Sequence, residues 1–273
     1  MPQVINTNIA SLTAQRNLNA SQGTLSSALN RLSSGLRVNS AKDDAAGIAI
    51  ATRLEAQSRG MSVAIRNAND ALSFLQTAEG GISKITESLN RMRELAVQSA
   101  NGTYTTSDRA NLNAEFAQLS SEIGRVASQT EFNGLQIFNG SGTQTFQVGA
   151  NTGQTIDVSI DNLNADTSVT SATGANINSV TNATNAITAI DGALDAINTL
   201  RAEIGGSQSR FESVVSQLQI ARENQEASRS RIVDADFAEE TARLTRAQIL
   251  QQAGTAMLAQ ANALPNNVLS LLR

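Results

Sequence analysis

Two neighbouring carboxylates can divide general-acid and general-base work when their surroundings push their proton affinities apart. Asp43 and Asp44 stand side by side in "SSGLRVNSAKDDAAG". The pattern around them supplies no pocket, no metal ligand and no second titratable partner, so the pair does not read as a dyad. It reads as N-terminal caps at a helix break flanked by Gly35 and Gly47. The chain contains no His and no Cys. Zinc and most transition-metal sites draw on imidazole or thiolate, and Cys or Ser–His nucleophilic mechanisms need the same groups. The residues therefore predict no metal, no cofactor and no catalysis. The remaining charged cluster, "RMRELAVQ", offers Arg91 and Glu94 at i,i+3, which suits an ion pair on an exposed helix face.

Charge is uneven along the chain. Arg16, Arg31, Arg37 and Lys42 occur in 1–42 without an acid, Arg243, Arg246 and Arg273 occur in 241–273 without an acid, and 43–240 holds all 24 acids. Basic residues spread this thinly, without aromatic stacking partners, make a weak case for nucleic acid. The longest nearly apolar run, "AAGIAIA" at 45–51, is too short to span a bilayer, and no basic n-region with an apolar h-region opens the chain. The expectation is a soluble chain with no membrane insertion and no cleaved signal.

The elements that carry these residues follow from spacing. The chain is 40% apolar and 3% aromatic, and it has no proline between Pro2 and Pro265. Long uninterrupted helices are therefore possible. From Ile50 the 3–4 spacing runs through Leu54, Gln57, Met61, Ala64, Ala68, Ala71, Leu75, Ala78, Ile82, Ile85, Leu89, Met92 and Ala96, apolar almost without interruption. This predicts a helix over about 45–99, roughly 80 Å long at the usual rise. Leu112, Phe116, Leu119, Ile123 and Val126 predict a shorter helix over about 107–129, and Ile187 to Ile232 a third over about 186–232. Together they form a coiled-coil-like bundle. Between the second and third, "LQIFNGSGTQTFQVGANTGQTIDVSI" changes period towards 2 and carries the turn residues Asn139-Gly140 and "GANTG", predicting a small β-hairpin element over about 132–160. The Ser/Thr-rich 161–185, with almost no large apolar residue, reads as an exposed connection.

Both ends carry apolar stripes. Val4, Ile5, Ile9, Leu12, Leu18, Leu25, Leu29, Leu32 and Leu36 mark one helix. Leu250, Gly254, Met257, Ala261, Leu264, Val268 and Leu271 mark another that runs to the end of the sequence. Two such helices can pair, but each buries only one face on the other, and the small residues invite further neighbours. Burying Leu250, Met257, Leu264 and Leu271 would gain about 6–12 kcal/mol gross. Copies of the same chain are the natural cover.

Several blocks carry a family resemblance: "NRLSSGLRVNSAKDDAAGIAIATRL" (30–54), "RMRELAVQSANGT" (91–103), "FNGLQIFNG" (132–140), "FQVGANTGQTI" (146–156), "SRIVDADFAEETARLTRAQILQQAGTAMLAQAN" (230–262) and the terminal "VLSLLR". In this order they resemble bacterial flagellin, the subunit of the flagellar filament. The chain differs from the largest members in having almost no insertion, so large outer domains are not expected.

The resemblance implies a mainly α fold in which 1–44 and 236–273 pair as an inner terminal domain, with 45–235 as the helical-bundle domain. It implies a homopolymer whose terminal helices line the inner tube, and Gly35, Asp43, Asp44 and Gly47 as a connector between the domains. It also implies export without a cleaved signal peptide through a dedicated apparatus with a chaperone, and contacts with filament cap and hook-junction proteins. At Arg91, Leu95 and Glu115 it implies a patch that packs along a protofilament and is read by a host innate immune receptor. Sugars O-linked to 161–185 are a further implication. The second reading within the family is a minor flagellar junction component.

Overall fold

The structure, a computed structural model, describes residues 7–140 and 142–270, with side chains as far as Ala263. These residues form α1 (Ile9–Ser34), α2 (Ala45–Ala100), α3 (Thr106–Gln129), β1 (Glu131–Phe132), β2 (Leu135–Gln136), β3 (Thr143–Gln147), β4 (Thr155–Ser159), α4 (Thr167–Thr173), α5 (Val180–Val233) and α6 (Phe237–Ser270). By internal packing the chain divides into two units, Met1–Ala56 with Asn224–Arg273, and Gln57–Glu223. The divisions fall inside α2 and α5, neither of which contains a proline to break it.

In the unit Gln57–Glu223 the row expected from 3–4 spacing is the buried face of α2. Ala68, Ala71, Leu75, Ala78, Ile82, Ile85, Leu89, Met92 and Ala96 are all fully inside. α3 contributes Phe116 and Ile123 to the same core, and α5 contributes Ile190, Ile197, Ile204 and Phe211. Phe74 of α2 meets Phe132 of β1 edge-on at 5.9 Å and Phe146 of β3 at 5.8 Å, and Phe146 meets Phe211 of α5 at 5.7 Å. These ring pairs fasten the β pieces to the bundle.

The β region is two antiparallel pairs. β1 and β2 turn through Asn133-Gly134, both at positive φ (51° and 77°), the conformation a two-residue hairpin requires. β3 and β4 pair from Thr143 opposite Ser159 to Gln147 opposite Thr155. On β4, Ile156 and Val158 point inward while Thr155, Asp157 and Ser159 stay exposed, so the alternation has an inner and an outer face.

The segment 161–185 is not simply an exposed connection. It holds α4, capped by Asp166, whose Oδ1 accepts from the Ser168 and Val169 backbone N–H groups. Leu163, Val169, Ala172 and Ile177 are buried in the bundle core. The Ile177 N–H donates to Asn113 Oδ1 at 2.9 Å, and its carbonyl accepts from the buried Ser99 hydroxyl. α5 starts at Val180 rather than near 186. Few apolar residues suffice here because they are spaced to reach one surface, so sparse composition conceals a packed segment.

Candidate functional site

The unit built from both ends of the chain is a pair of helices. α1 begins at Asn8, whose Oδ1 accepts from the Ser11 N–H at 3.0 Å. It ends at Gly35, at φ 72°, whose N–H returns to the Arg31 carbonyl at 2.8 Å. That left-handed position suits glycine and stops the helix. The chain then pairs back: the Ala235 N–H donates to the Gly35 carbonyl and the Arg37 N–H to the Val233 carbonyl, so the exit of α1 is tied to the entry of α6. Asp236 caps α6 by accepting from the Ala238 and Glu239 N–H groups. In the first turn of α6, buried Glu240 faces Arg31 at 4.0 Å and Arg243 at 3.7 Å. A carboxylate there is favoured by the helix dipole as well as by both cations.

Along the pair, close approach falls at small residues. Ala28 of α1 and Ala247 and Ala261 of α6 are buried. A Cβ on Gly254 would come within 3.1 Å of Leu18 Cδ1, so Leu18 packs into the space beside the glycine and would have to shift for a larger residue. Leu25 and Leu32 are half-buried beside it. Towards the far end Asn8 Nδ2 donates to the Ala261 carbonyl at 2.7 Å, and the Ser11 hydroxyl donates to Asn262 Oδ1 at 2.7 Å.

The expected terminal stripe is therefore divided. Ile9, Leu12 and Leu29 on α1 are 65%, 56% and 49% exposed, and Leu250 and Met257 on α6 are 50% and 64% exposed, with Ile249 beside them at 60%. Gly254 and Ala261 turn towards α1 instead. The inward face of α6 runs through Leu244, Ala247, Gly254 and Leu258, so Leu250 and Met257 lie roughly 75–95° around the helix from its centre at 3.6 residues per turn. The spacing from Leu250 thus picked out an apolar border of the helix rather than its buried centre. Ile5 and Leu271 lie outside the described residues, and Leu264 and Val268 fall where α6 is described without side chains.

The connector residues form two caps. Asp44 Oδ1 accepts from the Gly47 N–H at 2.8 Å at the start of α2. Asp43 accepts from the Ser40 hydroxyl and from the Ser40 and Asn39 N–H groups, and the Ser40 hydroxyl above all holds its carboxyl below the usual range. Both carboxylates are occupied with the backbone.

In the other unit, Arg91 bridges two helices. Its guanidinium donates to Glu94 at 2.8 Å and to Glu115 of α3 at 2.9 Å, and these bonds, Glu94's first, hold it protonated even more firmly than usual. Leu95, read as part of the same surface patch, is 1% exposed and lies in the core with Met92 and Phe116. The patch consists of Arg91, Glu94 and Glu115 on the surface, with Leu95 beneath it.

Asn8, Ser11, Glu240 and Arg109 went unread in the sequence. Asn8 has the N-cap signal of an Asn just before an apolar run, but its second partner lies far along the chain. Among the described residues no group of His, Cys, Asp and Glu is placed to hold a metal ion, and no helix is long and apolar enough to cross a membrane.

Residues 5–143 match the bacterial flagellin N-terminal helical region, and residues 187–272 match the bacterial flagellin C-terminal helical region. The chain belongs to the flagellin family. This flagellin is 44% identical to a flagellin of Halalkalibacterium halodurans, over 99% of this chain and 100% of that one. It is 42% identical to a flagellin of Xenorhabdus nematophila over the whole of both. The crystal structure of Bacillus cereus flagellin superposes with a TM-score of 0.50 at 31% identity, covering 56% of this chain and 88% of that one. It is a short-form flagellin, a structural subunit of the extracellular flagellar filament rather than an enzyme, and the matches do not favour a junction component over that role. Membership implies self-polymerisation.

Proposed function

We propose that this flagellin polymerises through the apolar borders that α1 and α6 leave open when they pair. The observation that carries this reading is the exposure of Met257 at 64% together with Ile9, Leu12, Ile249 and Leu250. Apolar side chains of this size in adjacent helices call for a partner. A neighbouring subunit presenting the same pair in a heterologous, non-closing contact yields a helical polymer. In this reading 1–44 and 236–273 act as the inner terminal domain, and 45–235 act as the bundle domain. Gly35, Asp43, Asp44 and Gly47 act as the connector between the two.

The same reading takes the subunit outward through the flagellar export apparatus with an export chaperone, and places it between cap and hook-junction proteins. Arg91 and Glu115 provide a surface for a protofilament neighbour and, in the monomer, for a host innate immune receptor. Electron microscopy of purified chain after addition of sheared filament seeds tests the central step. Filaments should lengthen in proportion to added chain, and a preparation that stays monomeric with active seeds rejects it.

A further inference from the structure

We propose that Asn8 is a positioning residue that sets the register between α1 and α6, by supplying the hydrogen bond that Pro265 denies to the Ala261 carbonyl. In an α-helix the carbonyl of residue 261 accepts from the N–H of residue 265. Position 265 is proline, which has no N–H, and α6 continues through it to Ser270. The Ala261 carbonyl is thereby left without its helical donor while Ala261 itself is buried, at 7% exposed. Asn8 Nδ2 donates to it at 2.7 Å. The other end of the same amide, Oδ1, accepts from the Ser11 N–H and caps α1. One side chain thus satisfies a helix start and a helix interruption that lie at opposite ends of the sequence. The Ser11 hydroxyl adds a second cross-helix bond to Asn262 at 2.7 Å.

Beyond the seating of Leu18 against Gly254, the apolar contact specifies register weakly. The face that α6 turns to α1 carries buried Ala247 and Ala261 with half-buried Leu244, Gly254 and Leu258 between them, and α1 meets it with Ala28 and half-buried Leu18, Leu25 and Leu32. A slip of seven residues puts Gly254 where Ala247 was and Ala261 where Gly254 was, one small residue for another. A proline-orphaned carbonyl occurs once in α6, since Pro265 is its one proline. A buried polar partner that fits in one alignment selects that alignment, as a single core Asn does in coiled coils. The inference rests on the polymerisation reading for its consequence, because only the correct register aligns the exposed borders of the two helices into one surface. The register itself can be read in the monomer.

The test uses the full chain, which has no native cysteine. Leu18→Cys with Gly254→Cys places a thiol pair where the two helices touch, and its oxidation rate in monomer reports register. Asn8→Asp keeps the acceptor that caps α1 but replaces the donor by a carboxylate facing the Ala261 carbonyl. Pro265→Ala restores the N–H and removes the need for a donor. Asn8→Asp should slow cross-linking about tenfold, the size expected when a buried carbonyl loses its donor. Asn8→Asp with Pro265→Ala should cross-link within about threefold of Pro265→Ala alone. The critical concentration for polymerisation, measured without the cysteines, should rise and recover in parallel. Unchanged cross-linking in Asn8→Asp overturns the proposal, and so does a loss that is equal with and without Pro265→Ala. Rapid cross-linking of the Leu18→Cys, Gly254→Cys chain, together with cysteine-free chain that never extends seeds, would instead reject the polymerisation reading and leave the register intact.

Discussion

Arg109 Nε donates to the Ser99 carbonyl at 2.8 Å, so the C-terminal end of α2 is closed by a side chain from the first turn of α3. The same guanidinium donates from its other nitrogens to the Tyr104 carbonyl at 2.7 Å and the Asn101 carbonyl at 2.9 Å, and the residue is 9% exposed. Carbonyls at a helix end lack intrahelical donors, and this planar cation answers several of them together. Arg109→Ala should cost roughly 3 kcal/mol, since buried acceptors lose charged donors. Calorimetry should show the bundle melting lower by about 6–12 °C. Arg109→Lys should recover only part of this, and a melting point unchanged in Arg109→Ala would contradict the role.

The packed state of 161–185 makes a second prediction. Ile177 is fully buried, and its backbone is held at both its N–H and its carbonyl. Ile177→Ala should destabilise the bundle by about 2–4 kcal/mol through lost burial and the cavity left behind. A Gly/Ser linker replacing 165–180 should do at least as much, measured by denaturant unfolding. A linker variant with native stability would return the segment to the status of a surface loop.

Legibility in the sequence followed periodicity. The core row of α2, from Ala68 to Ala96, could be read position by position because one face of a long helix repeats the same spacing without interruption. The same method placed the α6 stripe at its border, because α6 is apolar on more than one side and spacing cannot say which side meets α1. Leu95 was drawn to the surface by its neighbour Arg91, although it shares the α2 core face with Met92. Asn8, Arg109 and Glu240 act through partners distant in sequence or through backbone carbonyls, and neither leaves a periodic trace. In 161–185, frequent Ser and Thr masked Leu163, Val169 and Ile177.

Acid sensitivity follows from two surface carboxylates. Asp191 is held below its ordinary 3.8 by its bond from Arg93 Nε at 2.7 Å. Asp108 is held below 3.8 first by the Thr105 hydroxyl and then by the Thr105 N–H, in the capping box that starts α3. A carboxyl with a depressed folded-state pKa stabilises the fold above its unfolded value and loses that contribution as pH falls through the lowered one. Thermal scans from about pH 6 to about pH 2 should show these contributions fading only below about 4. Asp191→Asn should flatten that acid limb, and an identical limb in wild type and Asp191→Asn would remove the pair from the account.

The surface patch gives a fourth prediction. Arg91 is fixed between Glu94 and Glu115, so its guanidinium is presented in one orientation. Monomer should activate the host innate immune receptor in a reporter assay, and Arg91→Ala should lower potency by more than about tenfold, as for an anchoring arginine. Buried Leu95 contributes through folding, so Leu95→Ala should lower bundle stability together with potency. No response to folded wild-type monomer would reject the patch.

The exposed border of α6 can be broken directly. Met257→Asp places a charge where the account has a neighbouring subunit, and removes about 1.5–3 kcal/mol of burial per contact besides. The variant should fail to extend seeds while the bundle melts as in wild type. Normal filaments from it would show that this border faces solvent in the polymer.

Oxidation of Met257 measures that cover without altering the chain. In the monomer Met257 is 64% exposed, whereas Met92 is fully buried. Peroxide converts accessible thioethers to sulfoxide, and mass spectrometry can follow each methionine in monomer and in washed filament. The account predicts that Met257 oxidises rapidly in monomer and at least about tenfold more slowly in filament, while Met92 stays slow in both. Equal rates for Met257 in the two states would show that no subunit covers it, and would contradict assembly through the open borders of α1 and α6.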